Sequence, residues 1–296
     1  MRSSPFLAYR SWGLYAAWLV VCCLVFWKPI LALTRYALNS ENASHILLIP
    51  FIAAWLFYLD RQKIVHSSLD LAAAAWFAVP AAILSAMTMR RSFTDMSISL
   101  TVSILALVLL LAGGFVALFG RRSARSVWFS LAFVLFVVPF PEPLLNRIIY
   151  LLQAGSADVA ETLFDWTGVP VLREGFIFHL PRMSIEVAQE CSGIRSSIAL
   201  LILALLVAHF SFSKFWKKAL FILAGLLMMI VKNGVRIATL TLLANYVDPG
   251  FLYGKLHREG GIVFFLIGLA LLWPFYWWLR RGEQSFPPHG RDASLT

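Results

Sequence analysis

Runs of apolar residues long enough to cross a bilayer, about 20 residues each, recur along most of this chain. They lie at roughly 11–33, 43–60, 69–89, 96–119, 126–140, 192–212, 217–246 and 258–279. The tail after Arg281, about 15 polar residues, is expected to leave no room for a second soluble domain, and there are no internal repeats. The pattern predicts an all-α polytopic membrane protein of about eight transmembrane helices, as one integral-membrane domain over 1–296. Composition agrees: mean hydropathy is +0.79, and only 14% of the 296 residues are charged. An ordinary cytosolic enzyme is excluded.

The net charge of +10 would suggest nucleic-acid binding in a soluble protein, but here it is read loop by loop. Eight spans put both termini on one side. With that side cytoplasmic, its segments carry +9 and the opposite segments −3. The positive-inside rule therefore orients the chain, and no nucleic-acid partner is needed. The first span follows Arg2 and Arg10, as in a signal peptide, but it is too long and lacks a small-residue cleavage site. It is expected to remain as an anchor. The tail 282–296 is expected to be cytoplasmic.

The one sizeable extramembrane segment, about 141–190, falls on the outer side. Its first half places Leu145, Ile148, Ile149, Leu152, Val159, Leu163 and Trp166 at helical spacing, which predicts an amphipathic helix lying on the membrane surface. Its second half alternates at 176–180 and 184–187 around Pro181-Arg182, which predicts a small β-hairpin. The hairpin leads directly into Glu190-Cys191-Ser192-Gly193-Ile194-Arg195.

Four basic residues, Lys28, Arg195, Lys232 and Arg236, fall inside spans. A cation within the membrane is costly enough to be a functional candidate by default. Lys28, between Trp27 and Pro29, is expected to snorkel to the interface; Lys232 is expected either to snorkel or to pair within the bundle.

Cys191 is expected at the N-terminal end of the sixth helix, where the helix dipole favours an anion. Arg195, four residues on, would share its face and favour the thiolate. A lone cysteine in an apolar chain is more often packing than nucleophile, and Cys22 and Cys23 keep that reading. Asn233 and Arg236, three apart, face one way on the seventh helix. Arg236 would lie about 15 Å below the helix end at 1.5 Å per residue. His257 opens the eighth helix on the outer side. A thiolate, an imidazole that moves its proton and a permanently cationic guanidinium suit acyl transfer. No metal-ligand cluster or phosphate loop is present in the sequence, so no metal and no cofactor is expected.

Val187-Ala188-Gln189-Glu190-Cys191-Ser192-Gly193-Ile194-Arg195-Ser196 resembles the Cys-Ser-Gly-Ile-Arg motif of the exosortase/archaeosortase family. Asn233-Gly234-Val235-Arg236 resembles that family's Asn-x-x-Arg motif, and His257 with Gly261 its third. Pro139-Phe140-Pro141, Leu151-Leu152-Gln153 and Gly168 through Gly175 are similar to its lead-in. Ser44–Pro50 is similar to an upstream segment, with Ile46 where glycine is common.

The resemblance, over about 40–270, implies a multi-spanning bacterial protein-sorting enzyme of the inner (cytoplasmic) membrane; with both termini cytoplasmic by the charge count, its active site is expected to face outward. Its substrates would be membrane-anchored proteins with a C-terminal Pro-Glu-Pro-like motif, a transmembrane helix and a basic tail. It implies Cys191 as nucleophile, Arg236 as the essential arginine and His257 as the third catalytic position. Arg195, Asn233 and Ser192 are the supporting or substrate-binding candidates. The competing readings are a transporter or channel that uses the intramembrane cations, and a non-catalytic assembly factor in exopolysaccharide export.

Overall fold

A computed structural model describes residues 5–64, 69–90, 95–187, 193–252 and 261–281. Its described residues are overwhelmingly helical, with one small sheet. Among the described residues, six helices are long and apolar enough to cross a membrane, and eight spans result if two broken helix pairs each count as one. The chain is a multi-pass membrane protein. By internal contacts it divides into two units, Met1–Leu145 and Asn146–Thr296.

In the first unit, the expected span 11–33 is not one straight helix. Helix α1 (Pro5–Val25) and α2 (Trp27–Asn39) meet at a 76° bend. Pro29 is the cause, since it has no N–H to give the Val25 carbonyl and its ring crowds that carbonyl. Lys28 is exposed just past the bend, 5.9 Å from the Trp27 ring.

Helix α3 (Ile49–Asp60) follows a 3₁₀ segment, and α4 (Leu71–Met89) lies along α5 (Met96–Ser126). Small residues set that approach: a Cβ on Gly113 would lie 3.1 Å from the Phe77 Cβ. Trp18 of α1 covers Gly114 and donates to the Leu110 carbonyl at 3.0 Å. Helix α5 runs past the expected end at 119, with a break at Gly120 (φ 77°).

The expected fifth span, 126–140, is only a six-residue helix α6 (Trp128–Phe133) and a 3₁₀ turn to Val137. Pro139 and Pro141 stop it there. Buried Asp60 accepts from Ser130 (3.0 Å) and pairs with Lys63 (2.6 Å), which ties α3 to α6.

In the second unit, the amphipathic helix is present as α7 (Glu142–Thr167), described here from Asn146 onward. It is not simply laid on a surface. A Cβ on Gly155 would meet Ile230 at 3.0 Å, and one on Gly234 would meet Val159 at 2.5 Å. Ile230 and Gly234 both lie on α9 (Phe215–Tyr246), so α7 is packed against that helix from its middle onward.

The hairpin is there too, but as part of a three-stranded antiparallel sheet. Strands β2 (Ile177–His179) and β3 (Ser184–Glu186) are joined by an unforeseen β1 (Leu172–Glu174), in the order β1-β2-β3. Gly175 (φ 64°) makes the two-residue turn between β1 and β2. Fully buried Phe178 turns inward with Phe164, Val187, Ile237 and Ala238, so the sheet shares one core with α7 and α9. Helices α8 (Ile194–Ser211) and α10 (Gly261–Arg280) complete the unit against α9.

Candidate functional site

Cys191 and Ser192 lie in 188–192, and His257 lies in 253–260; all three are outside the described residues. The chain on either side of 188–192 is described, and both ends are fastened. On the incoming side, buried Gln153 of α7 donates to the Val187 carbonyl, and the Val187 amide donates to Phe176 at 2.9 Å. On the outgoing side stands Gly193, with φ 68° in the left-handed region, immediately ahead of α8. Only glycine adopts that conformation freely.

Helix α8 begins at Ile194, directly after the left-handed Gly193, and the expected sharing of a face by Cys191 and Arg195 lies outside the described residues. Arg195 sits in the first turn of α8 and is exposed.

Gly193 also has no room for a side chain. A Cβ there would lie 2.8 Å from the Asn233 Oδ1 and 3.5 Å from the Lys232 Nζ. The glycine of the Cys-Ser-Gly-Ile-Arg segment therefore rests on the asparagine of the Asn-x-x-Arg segment. Asn233, 1% exposed, donates from Nδ2 to the Ser156 Oγ of α7 at 3.1 Å. Three segments distant in sequence thus converge on one buried polar cluster.

Lys232 completes it. The residue is 3% exposed, and its Nζ donates to the Ser196 Oγ at 2.6 Å. Ser196 in turn donates to the Gly193 carbonyl at 3.0 Å. The lysine stem lies against Gly268 of α10, where a Cβ would sit 3.5 Å from its Cδ. Of the two fates expected for Lys232, pairing within the bundle is the one observed. Its role at this turn was not foreseen; the available signal was a lysine directly ahead of Asn233 in an otherwise apolar run.

Arg236, one turn further along α9, is half-buried. Two cations thus stand one turn apart on α9, and groups of that kind are suited to stabilising developing negative charge. Among the described residues, no group of three His, Cys, Asp or Glu side chains could hold a metal ion.

Outside the spans, Arg173 of β1 pairs with Asp158 (2.8 Å) and Glu161 (2.6 Å) of α7, clamping the sheet to that helix. His179 contacts the Ser184 Oγ at 2.8 Å within the sheet. Cys22 is buried in an apolar cluster and Cys23 is exposed.

A model of the transmembrane exosortase family matches residues 37–274. The chain belongs to the transmembrane exosortase family. The matched range takes in the Gly193, Lys232, Asn233 and Arg236 cluster and both motif segments that carry it. No curated protein and no solved structure gives a match.

Proposed function

We propose that this exosortase is a thiol-dependent endopeptidase and transpeptidase acting at the outer face of the bacterial inner membrane, with Cys191 as nucleophile. The Cys191 thiolate attacks the carbonyl carbon of the scissile peptide in a C-terminal Pro-Glu-Pro-like sorting signal. Arg236 stabilises the oxyanion of the tetrahedral intermediate. His257 takes the thiol proton and returns it to the departing nitrogen as the C–N bond breaks. The transmembrane tail leaves as a free amine, and the rest of the substrate stays bound as a thioester. An incoming amine or water then attacks the thioester, the C–S bond breaks and the thiolate is restored. Asn233, Arg195 and Ser192 take supporting roles.

The observation that carries this reading is the close contact of Gly193 with Asn233 and Lys232 in a chain of this family. It ties the segment that follows Cys191 to the helix that carries Arg236. The Val187 anchor on α7 supports it, because a nucleophile needs a fixed approach to be effective.

The test is processing of an epitope-tagged, signal-bearing substrate in cells that carry Cys191→Ala, Arg236→Ala or His257→Ala. Uncleaved substrate is expected to accumulate in each, with the variants still inserted in the membrane. Normal cleavage in Cys191→Ala contradicts the reading.

A further inference from the structure

The first unit carries an apolar groove of about 680 Å³ between α4, α5 and α6, far in sequence from the cluster around Gly193. Its floor is Val108 and Ala112 of α5, and its walls are Phe77 of α4, Leu131 of α6 and Leu135 of the 3₁₀ turn that follows. Trp76 (79% exposed) and Trp128 (60% exposed) stand at its edges. From Val108 to Arg121 the groove follows α5 for about 20 Å at 1.5 Å per residue. That spans the roughly 15 Å depth of one leaflet of a hydrocarbon core about 30 Å thick and reaches beyond it toward the headgroups.

One end of the groove is charged. Arg121 and Arg125 both line it. They follow the break at Gly120 and, four residues apart, share a face. Both are exposed, and no acidic side chain among the described residues forms an ion pair with either. The acids nearby in the fold are engaged elsewhere. Asp60 pairs with Lys63, and Asp70 caps α4 by accepting from the Ala73 amide at 3.0 Å. An apolar trough one leaflet deep, ending in two guanidinium groups, matches an acyl chain below a phosphate. Under the orientation drawn from the basic loops, the guanidinium end faces the cytoplasmic leaflet.

We propose that this groove is a binding site for one acidic phospholipid, its acyl chain along Ala112 and its phosphodiester between Arg121 and Arg125. Charge complementarity selects this occupant. A polypeptide segment ending in basic residues would meet the same two arginines with repulsion, and a zwitterionic lipid would bring a second, unfavourable positive charge to them.

The experiment uses the full-length protein in nanodiscs of equal phosphatidylglycerol and phosphatidylcholine, released for native mass spectrometry. Wild type is expected to retain phosphatidylglycerol in preference to phosphatidylcholine. Arg121→Gln/Arg125→Gln, two exposed positions that leave the fold intact, is expected to lower that preference about tenfold. A photo-crosslinking residue at Ala112 is expected to give lipid adducts. Four results each overturn the proposal: equal retention of the two lipids by wild type, a preference unchanged in the double variant, displacement of the lipid by inorganic phosphate alone, or peptide adducts at Ala112 from a substrate or a second copy.

Discussion

Replacing Gly193 by alanine tests the junction on which the site rests. Two costs add. A non-glycine residue at φ 68° pays about 1–2 kcal/mol for the left-handed backbone. The new Cβ would also lie 2.8 Å from the Asn233 Oδ1 and 3.1 Å from its Cγ, so the amide must retreat by several tenths of an ångström. Retreat strains the 3.1 Å bond from Asn233 to Ser156, a buried hydrogen bond worth about 1 kcal/mol. Gly193→Ala is therefore expected to cost about 2–3 kcal/mol locally, without opening the rest of the bundle.

Thermal unfolding in detergent and cleavage of a tagged substrate read the two consequences. A modest fall in Tm is expected, together with a loss of processing far larger than that fall explains. In a double-mutant cycle with Asn233→Ala, the steric share should disappear and leave a coupling of about 1 kcal/mol. Wild-type stability and processing in Gly193→Ala, or strict additivity in the cycle, would refute the reasoning.

Other substitutions probe neighbouring contacts. Lys232→Met removes a buried cation with no described carboxylate partner, so stability should hold or rise. Processing should nevertheless fall at least tenfold because Ser196 and the Gly193 turn lose their anchor; unchanged processing would remove Lys232 from the account. Gly234→Ala is expected to destabilise by about 1–3 kcal/mol, since its Cβ would sit 2.5 Å from Val159 and 2.9 Å from the Ser156 carbonyl. Only part of that loss should return in Val159→Ala, because the carbonyl remains; full rescue would place the clash on the side chain alone. Arg173→Ala, measured by thermal unfolding, should cost no more than about 1 kcal/mol because Asp158 is exposed and Glu161 half-exposed to solvent. A loss of several kcal/mol would show that the clamp carries the sheet.

The membrane spans and the amphipathic helix α7 were legible because apolar length and 3.6-residue periodicity are strong signals. The bend between α1 and α2 was written in Pro29, yet an apolar run that continues on both sides of a proline reads as one span. Strand β1 was hidden because Leu172-Arg173-Glu174 is too short to show alternation; its pairing with β2 is what makes it a strand. In the site, Asn233 and Arg236 could be picked out as neighbours on one helix. The contact of Gly193 with Asn233 could not, because a left-handed glycine and a 40-residue separation leave no periodic trace. Lys232 was visible only as a costly charge, and its partner Ser196 lies on another helix.

Capture of the acyl-enzyme tests the central claim most directly. A signal-bearing peptide incubated with the purified protein, quenched in acid and digested, should yield a Cys191-containing fragment. That fragment should be heavier by the N-terminal cleavage product, in a linkage that hydroxylamine releases and Cys191→Ala abolishes. Cleavage of the same peptide by Cys191→Ala, or a covalent adduct on any other residue, would contradict the account.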